Sequence, residues 1–400
     1  MHRNLNSLCL HIDDVLHYAS DCLIEDTALQ AKLRVKPQYI KSEVDRIVGR
    51  LSQEMRDICI LEKDERPPKT EESFETTAGR NPYDIYVVLP IFNATDEQAA
   101  ACINSIVKNF ASFNFCLVLY SNRPWRQLPE LLSRAIPVIE FRSPAFSLPF
   151  AYNTCMEYLR REFNAIEELT VFMDDDAAIF DNQQEFIARN IASIQNEEVL
   201  AVSGHYFDDR EPENLFQSAI NYTNCTAFAS RCLKPYCHGG AVLMMKAKSY
   251  PANGLPLEGL GGISLSVLMI NSAGDHYLMR SGWFLRNTPQ LKVFHPRKQN
   301  LVQWTTTYLS YEIAWKRALS WLDASKRSLW DTKLKETSSF RTQLLINDIN
   351  GEGSDALHAM SNLLLTKYYK PLLSRYFLYG DFASLDLQTH SNLLESNVEH

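Results

Sequence analysis

The sequence predicts an α/β fold, a mostly parallel sheet flanked by helices, with helical N-terminal and C-terminal regions on either side of it. Short apolar runs such as Ile85 to Leu89 and Leu169 to Met173 alternate with helical patterns, as strands joined by crossover helices do. Ahead of them, apolar residues recur at helical spacing, as at Ile40, Val44, Ile47, Val48 and Leu51, and helical texture returns after His295. With 46% hydrophobic and 11% aromatic residues, the 400 positions hold ample material for a large core.

Taken in order, residues 1–60 read as a helical appendage. Residues 61–82 exchange nearly all aliphatic residues for charges, Thr and prolines, which predicts a linker or long exposed loop. Residues 83–300 form the sheet domain. Its first strand, Ile85 to Leu89, ends in Pro90, and Thr95 with Gln98 forms a capping box for a helix carrying Ile103, Ile106, Val107 and Phe110 on one face. Asp96 and Glu97 suit that helix's positive end. Phe115 to Tyr120 and Pro137 to Phe141 follow as strands, then a helix from Pro149 to Phe163. Leu169 to Met173 is a fourth buried strand and delivers the chain to Asp174. A helix from Gln183 to Gln195 and strands at Val199 to Gly204 and Gly239 to Met245 continue the alternation. Residues 301–400 read as helices packed on the sheet domain, with Trp304, Tyr308, Tyr311, Trp315, Leu319 and Leu322 on a stripe assigned to the core, and a frayed tail from Leu393.

Composition narrows the function classes. A formal charge of −8 without a Lys/Arg cluster argues against a nucleic-acid partner. No window approaches the roughly 20 apolar residues of a transmembrane segment, and Asp13 and Asp14 interrupt the stretch a signal peptide would need. Nine scattered cysteines suit a reducing, cytoplasmic setting. Cys225, Cys232, Cys237 and His238 lack the paired short spacing of structural zinc sites. Kinase and dehydrogenase readings lack their Gly-rich phosphate loops.

The chemistry concentrates at Asp174, Asp175 and Asp176. In extended chain, residues two apart project to the same side, so Asp174 and Asp176 form a pincer while Asp175 turns away. Two carboxylates about 4 Å apart repel by about 4 kcal/mol at an effective dielectric of about 20, a cost that a divalent cation removes. Oxygen ligands favour Mg2+ or Mn2+, which complete their shells with water and substrate phosphates. The acids also follow a strand's carboxyl end, where open α/β sheets bind ligands. A solvated acidic turn is the bland alternative.

Tyr83 to about His295 resembles the GT-A glycosyltransferase fold, specifically glycosyltransferase family 2. YDIYVVLPIFN, from Tyr83 to Asn93, resembles the family's first strand with its Pro90-x-x-Asn93 ending, whose loop lies near the nucleotide base. FSLPFAYN, ending at Asn153, resembles the Ala-x-Asn segment ahead of the metal strand. VFMDDDAAIFD resembles the DXD motif, with Asp174 and Asp176 as its outer acids. VLAVSGHYF and HGGAVLMMKA resemble later strands of the domain. The resemblance implies a nucleotide-sugar donor, with UDP as the commonest carrier, whose diphosphate binds a cation held by the DXD acids. It also implies a late His as third ligand; His295 in LKVFHPRK falls there, although a His after a strand is as often a surface or capping residue. Lys298 or Arg297 beside it would neutralise phosphate charge, or face solvent.

The sequence departs from the family at the catalytic base. Where a Glu-Asp pair is expected at the start of a helix, Ile263 and Ser264 stand. Glu258 is the leading substitute, with Asp208 or Asp209 behind it, and each has an exposed loop acid as its alternative reading. Asn122 stands where a base-contacting acid would follow the second strand. The Gln-x-x-Arg-Trp element of processive synthases is missing, since Gln303 precedes Trp304, which implies transfer of a single sugar. The acceptor is open among protein, glycan, lipid and small molecule. An Asp-nucleophile phosphohydrolase and a non-catalytic GT-A-like binding protein are the competing readings.

Overall fold

The computed structural model describes residues 2–58, 72–79, 82–92, 94–122, 136–145, 147–226, 241–257, 261–298, 300–351 and 356–379. Helices α1 (His2–Glu25), α2 (Thr27–Gln30) and α3 (Pro37–Ile58) open the chain. The sheet region then runs β1 (Ser73–Thr76), β2 (Ile85–Ile91), α4 (Asp96–Phe110), β3 (Phe115–Ser121), β4 (Val138–Arg142), α5 (Leu148–Phe163), β5 (Leu169–Met173) and β6 (Ala178–Ile179). It continues through α6 (Gln184–Gln195), β7 (Ala201–Phe207), α7 (Leu215–Thr226), β8 (Val242–Lys246), α8 (Gly261–Ser272), α9 (His276–Ser281) and β9 (Leu285–Phe294). Helices α10 (Leu301–Ser320), α11 (Ala324–Asn350) and α12 (Ala356–Leu363), a π-helical turn at Leu364–Tyr369, and α13 (Lys370–Tyr379) follow.

The described strands form one nine-stranded sheet in the order β1-β4-β3-β2-β5-β8-β7-β9-β6. The block β4-β3-β2-β5 is parallel throughout. Beyond it the sheet becomes mixed, because β8 runs antiparallel to both β5 and β7, while β9 lies parallel to β7. Two reversals cancel, so β7 and β9 point the same way as β5. The carboxyl ends of β2, β3, β4, β5, β7 and β9 therefore share one edge of the sheet, and only β1, β6 and β8 run against them. That edge is where the site is assembled.

Pleat alternation divides the strand residues between two cores. Tyr86, Val88, Val118, Phe172 and Met245 point to the face covered by α5 and α8, whereas Val87, Leu89, Leu119, Val171 and Met244 point to the face covered by α4 and α6. The runs are continuously apolar because both faces are covered, and all seven residues of β2 are buried. Helix α4 begins with the expected capping box, Thr95 accepting from the Gln98 N–H and the Gln98 side chain accepting from the Thr95 N–H.

The N-terminal helices pack on the C-terminal ones. Leu16, Ile40, Val44 and Leu51 share a third core with Phe216, Leu301, Ile346, Leu364 and Tyr369. A strand, β1, lies within the stretch read as a linker, pairing antiparallel with β4 at the sheet edge. All four of its residues are exposed, so no apolar alternation marked it. Among the described residues Cys22, Cys102, Cys116 and Cys155 are free thiols, while Cys9 is disulfide-bonded, which the scattered spacing did not suggest. No described helix is long and apolar enough to cross a membrane.

Candidate metal centre

Three side chains meet at the shared carboxyl edge. β5 ends at Met173 and releases the chain into a turn in which the Ala177 N–H donates to the Asp174 carbonyl at 3.2 Å. β9 ends at Phe294, and the next residue, His295, donates its N–H to the Phe207 carbonyl at the end of β7, at 3.1 Å. His295 Nε2 lies 3.4 Å from Asp174 Oδ2 and 3.4 Å from Asp176 Oδ1. One ligand atom from each of the three falls within 4.8 Å of the other two, and each residue is half-buried. Adjacent ligands of an octahedral ion with bonds of about 2.1 Å lie about 3 Å apart and opposite ones about 4 Å apart, so a small inward closure fits this set around one ion. Two carboxylates with one imidazole suit Mn2+ better than Mg2+, which prefers oxygen alone.

The surroundings hold these ligands in place. His295 Nδ1 sits 3.1 Å from the Pro296 carbonyl, which favours the tautomer with Nδ1 protonated and leaves Nε2 as the lone-pair donor facing the acids. Two residues further, Arg297 donates its backbone N–H to Asp208 Oδ2 at 3.1 Å, and its guanidinium lies 3.3 Å from Asp208 Oδ1. Arg210 closes the same carboxylate from the other side, Nη2 to Oδ2 at 2.5 Å and Nε to Oδ1 at 2.8 Å. The Asp208 carboxylate is thus a buried anchor for the segment that carries His295, unavailable as a base. Burial alone would raise its pKa, yet hydrogen bonds from Arg210 and Arg297 hold it well below the usual carboxylate range.

Asp175 turns away from the pincer. Its Oδ2 accepts the N–H groups of Phe92 at 2.7 Å and Ala94 at 3.0 Å, tying the acidic turn to the loop between β2 and α4. Pro90 is buried in β2 opposite Tyr120, while Asn93 lies outside the described residues. Asn122, half-buried, follows β3 on the same edge. Lys298 is half-buried and near enough to His295 for its charge to oppose imidazole protonation.

Asn153, on α5, anchors the segment that follows β8. Its Oδ1 accepts from the Tyr250 hydroxyl and the Leu255 N–H, both at 2.6 Å, and its Nδ2 donates to the Leu255 carbonyl at 2.8 Å. With Arg160, which donates to the carbonyls of Ala247, Tyr250 and Pro251, it pins the segment leading towards α8. Gly254 sits at φ +74° with a hypothetical Cβ 2.8 Å from Asn153 Oδ1, so no other residue fits without displacing the amide. Asn153→Ala is expected to lower stability by about 2–4 kcal/mol, three hydrogen bonds at roughly 1 kcal/mol each, read as a fall in denaturant midpoint with unchanged slope.

Glu258 and the zinc-type residues Cys232, Cys237 and His238 lie outside the described residues. Asp209 is exposed just past β7, on the edge that holds His295. Ser264, where an acid was expected, is fully buried on α8, its hydroxyl lacking a hydrogen-bond partner among the described residues. Tyr206, its ring 5.5 Å from His295, joins the site without any sequence signal. Tyr311, expected in the core, is 45% exposed. The stripe on α10 splits around it, Trp304 and Tyr308 packing into the helical core and Trp315 and Leu319 against the sheet.

The electrostatics suit a cation. Burial and the charges of Asp176 and Asp175 push Asp174 up to about 6, against the opposing hydrogen bond and charge of His295. Burial pulls His295 down, but the hydrogen bond to Asp174 and the charges of Asp176 and Asp174 leave its pKa raised. Protons therefore compete with a metal for both groups. Mn2+ affinity, measured calorimetrically, is expected to fall steadily as pH drops below about 6, where Asp174 protonates and His295 carries a proton.

No protein-family model matches the sequence, and no curated protein matches it. Solved structures similar to it include the mannosyltransferase PcManGT from Pyrobaculum calidifontis in complex with GDP-Man and Mn2+, at 13% identity over 81% of this chain and 83% of that one, with a TM-score of 0.39. S. aureus TarS 1-349 in complex with UDP-GlcNAc is similar at 12% identity over 75% of this chain and 93% of that one, with a TM-score of 0.37. At these identities and TM-scores neither likeness fixes a donor, an acceptor or a metal for this chain.

Proposed function

We propose that this chain is a metal-dependent glycosyltransferase that moves a single sugar from a nucleotide-sugar donor, with UDP as the carrier, to an acceptor. The reading rests on the convergence of Asp174, Asp176 and His295 at the carboxyl edge of the sheet, their ligand atoms all within 4.8 Å of one another. Those three side chains would hold Mn2+ or Mg2+, which when bound offsets the charge that develops on a departing diphosphate. Lys298 adds a positive charge on the same side. Asp175 keeps the loop after β2, from Phe92 onward, in register with the acids, so that a nucleotide lying along that loop meets the metal ligands in fixed geometry. Asp209 on the edge and Glu258 are the candidate proton acceptors for the acceptor hydroxyl.

The test is sugar release from UDP-sugars with Mn2+, comparing wild type with Asp176→Ala. Release that requires both the metal and Asp176 supports the proposal, whereas cleavage of a phosphate monoester would point to an Asp-nucleophile hydrolase. One observation favours a second reading: the buried Ser264 leaves α8 without the acid expected at its start. A non-catalytic nucleotide-sugar-binding protein predicts Mn2+-dependent binding with no turnover in the same assay.

A further inference from the structure

Strand β9 does not pair with β7 in a single register. Ala201 to Gly204 face Leu285 to Thr288 one for one, yet the next residue of β7, His205, faces Lys292. Pro289, Gln290 and Leu291 are therefore carried as an excursion within β9, after which Tyr206 faces Val293 and Phe207 faces Phe294. Irregularities of this kind re-aim the residues that follow them. Were β9 to continue in its first register, Phe207 would face Leu291, and Lys292 would take the place beside Asp174 and Asp176 that His295 holds. An ammonium there offers no lone pair to a metal.

The excursion settles against Gly204. A Cβ at that position would stand 2.8 Å from Val293 Cγ2, 3.0 Å from the Leu291 carbonyl oxygen and 3.3 Å from Leu291 Cγ. Leu291 and Val293 are fully buried, the Val293 side chain is β-branched and stiff, and one contact is to backbone, so a methyl group there displaces β9 itself rather than a flexible side-chain end. The stretch that would move is clamped on its other flank. Val293 and Phe294 pair antiparallel with Ile179 and Ala178 of β6, which begins two residues after Asp176, and the Lys292 N–H donates to Gln183 Oε1 at 2.9 Å. The acidic turn is held by other elements, since Asp174 follows the last residue of β5 and Asp175 accepts the N–H groups of Phe92 and Ala94. A displacement of β9 thus moves His295 against acids that are anchored elsewhere.

We infer that Gly204 is a positioning residue for the third ligand: its lack of a side chain admits the Pro289–Leu291 excursion against β7, and that excursion sets the register in which His295, not Lys292, reaches Asp174 and Asp176. This role rests on the metal reading proposed above and names what aligns its imidazole.

Pulsed EPR of bound Mn2+ provides the test, because a coordinated imidazole nitrogen modulates the electron spin echo and a carboxylate does not. Wild type is expected to show the nitrogen coupling and His295→Ala to lose it. Gly204→Ala, its fold checked by circular dichroism, is expected to lose the coupling too and to bind Mn2+ about tenfold more weakly by calorimetry. A glycine with only a packing role would lower the unfolding midpoint and leave the coupling in place at saturating metal, and that result overturns the inference. The double variant His295→Ala/Lys292→His decides the matter if Gly204→Ala does not fold, since Lys292 is exposed and tolerates exchange. No coupling is expected from it; a returned coupling would mean that β9 reaches the acids in the other register with Gly204 intact, which also overturns the inference. Wild type that binds Mn2+ without nitrogen coupling removes His295 as a ligand, and this role with it, while Asp174 and Asp176 stand. If wild type binds no Mn2+, the metal reading itself falls.

Discussion

Asp176→Asn is expected to lower Mn2+-dependent sugar release by on the order of 10^2- to 10^3-fold while making the metal-free protein more stable. Both effects follow from one geometry. Asp174 and Asp176 point at the same imidazole nitrogen, 3.4 Å from each, so their charges are forced together when no cation is present. Burial chiefly, and the charges of Asp176 and Asp175 as well, raise the pKa of Asp174 to about 6 against the opposing pull of His295. The amide keeps the shape and removes one of the two charges, which relieves the repulsion and removes an anionic ligand in the same step. Thermal unfolding with and without Mn2+ checks the pair of outcomes: wild type should gain stability on adding metal, and Asp176→Asn should start higher and gain little. A variant less stable than wild type in the absence of metal would mean that the two carboxylates are not in conflict. The linkage has a sign that can be checked as well. A carboxyl whose folded pKa lies above its unfolded value binds more protons when folded, so the metal-free protein should lose this contribution to stability as pH rises from about 4 to about 6.

Asp208→Ala is expected to be the most destabilising single change in the vicinity, by about 3–5 kcal/mol, because it strands a buried cation. Arg297 is only 9% exposed, and its backbone N–H and guanidinium both lean on Asp208. Arg210 is largely exposed and rehydrates when its partner is lost; Arg297 cannot. Since Arg297 lies two residues beyond His295, the same change should loosen the third ligand proposed for the metal, and Mn2+ affinity should fall together with the unfolding midpoint. An Arg210→Ala change should cost less, because Asp208 keeps its contacts with Arg297 and only the exposed partner of that buried carboxylate is lost. The pH window is distinct from that of Asp174. A carboxylate held below its unfolded pKa contributes stability that is complete above about pH 5 and is lost as pH falls through about 4 and lower, so acid unfolding should begin at higher pH in any variant that weakens the Arg297 contact.

Much of the fold is written in local patterns. Leu169 to Met173 reads as a strand because five consecutive apolar residues can be buried only where both faces are covered, and those five residues are β5. Thr95 and Gln98 define the start of α4 because a capping box closes within four residues. Asp174 and Asp176 do face one imidazole, as alternation in an extended chain predicts, but the backbone that presents them is the turn after β5, closed by the Ala177 N–H on the Asp174 carbonyl, which spacing alone did not show. Local signals of this kind depend on neighbours in sequence, which is why they survive without coordinates. Ser73–Thr76 was illegible for the converse reason: an exposed edge strand needs no apolar alternation, and its pairing with β4 rests on contacts with residues far away in sequence, the Phe74 ring against Phe141 among them.

The chain's own order of residues settled that this protein is an α/β molecule with an acidic pincer at the end of a buried strand. Only the packing of distant segments decided what that pincer faces. His295 arrives through β9, parallel to β7 and separated from β5 in the sheet by two further strands; Asn153 pins the segment leading towards α8; and Tyr311 leaves the core, 45% exposed. Each of these is a matter of which of several chemically competent residues lies within a few ångströms of another, and that is fixed by the sheet order and helix docking, to which sequence spacing is blind.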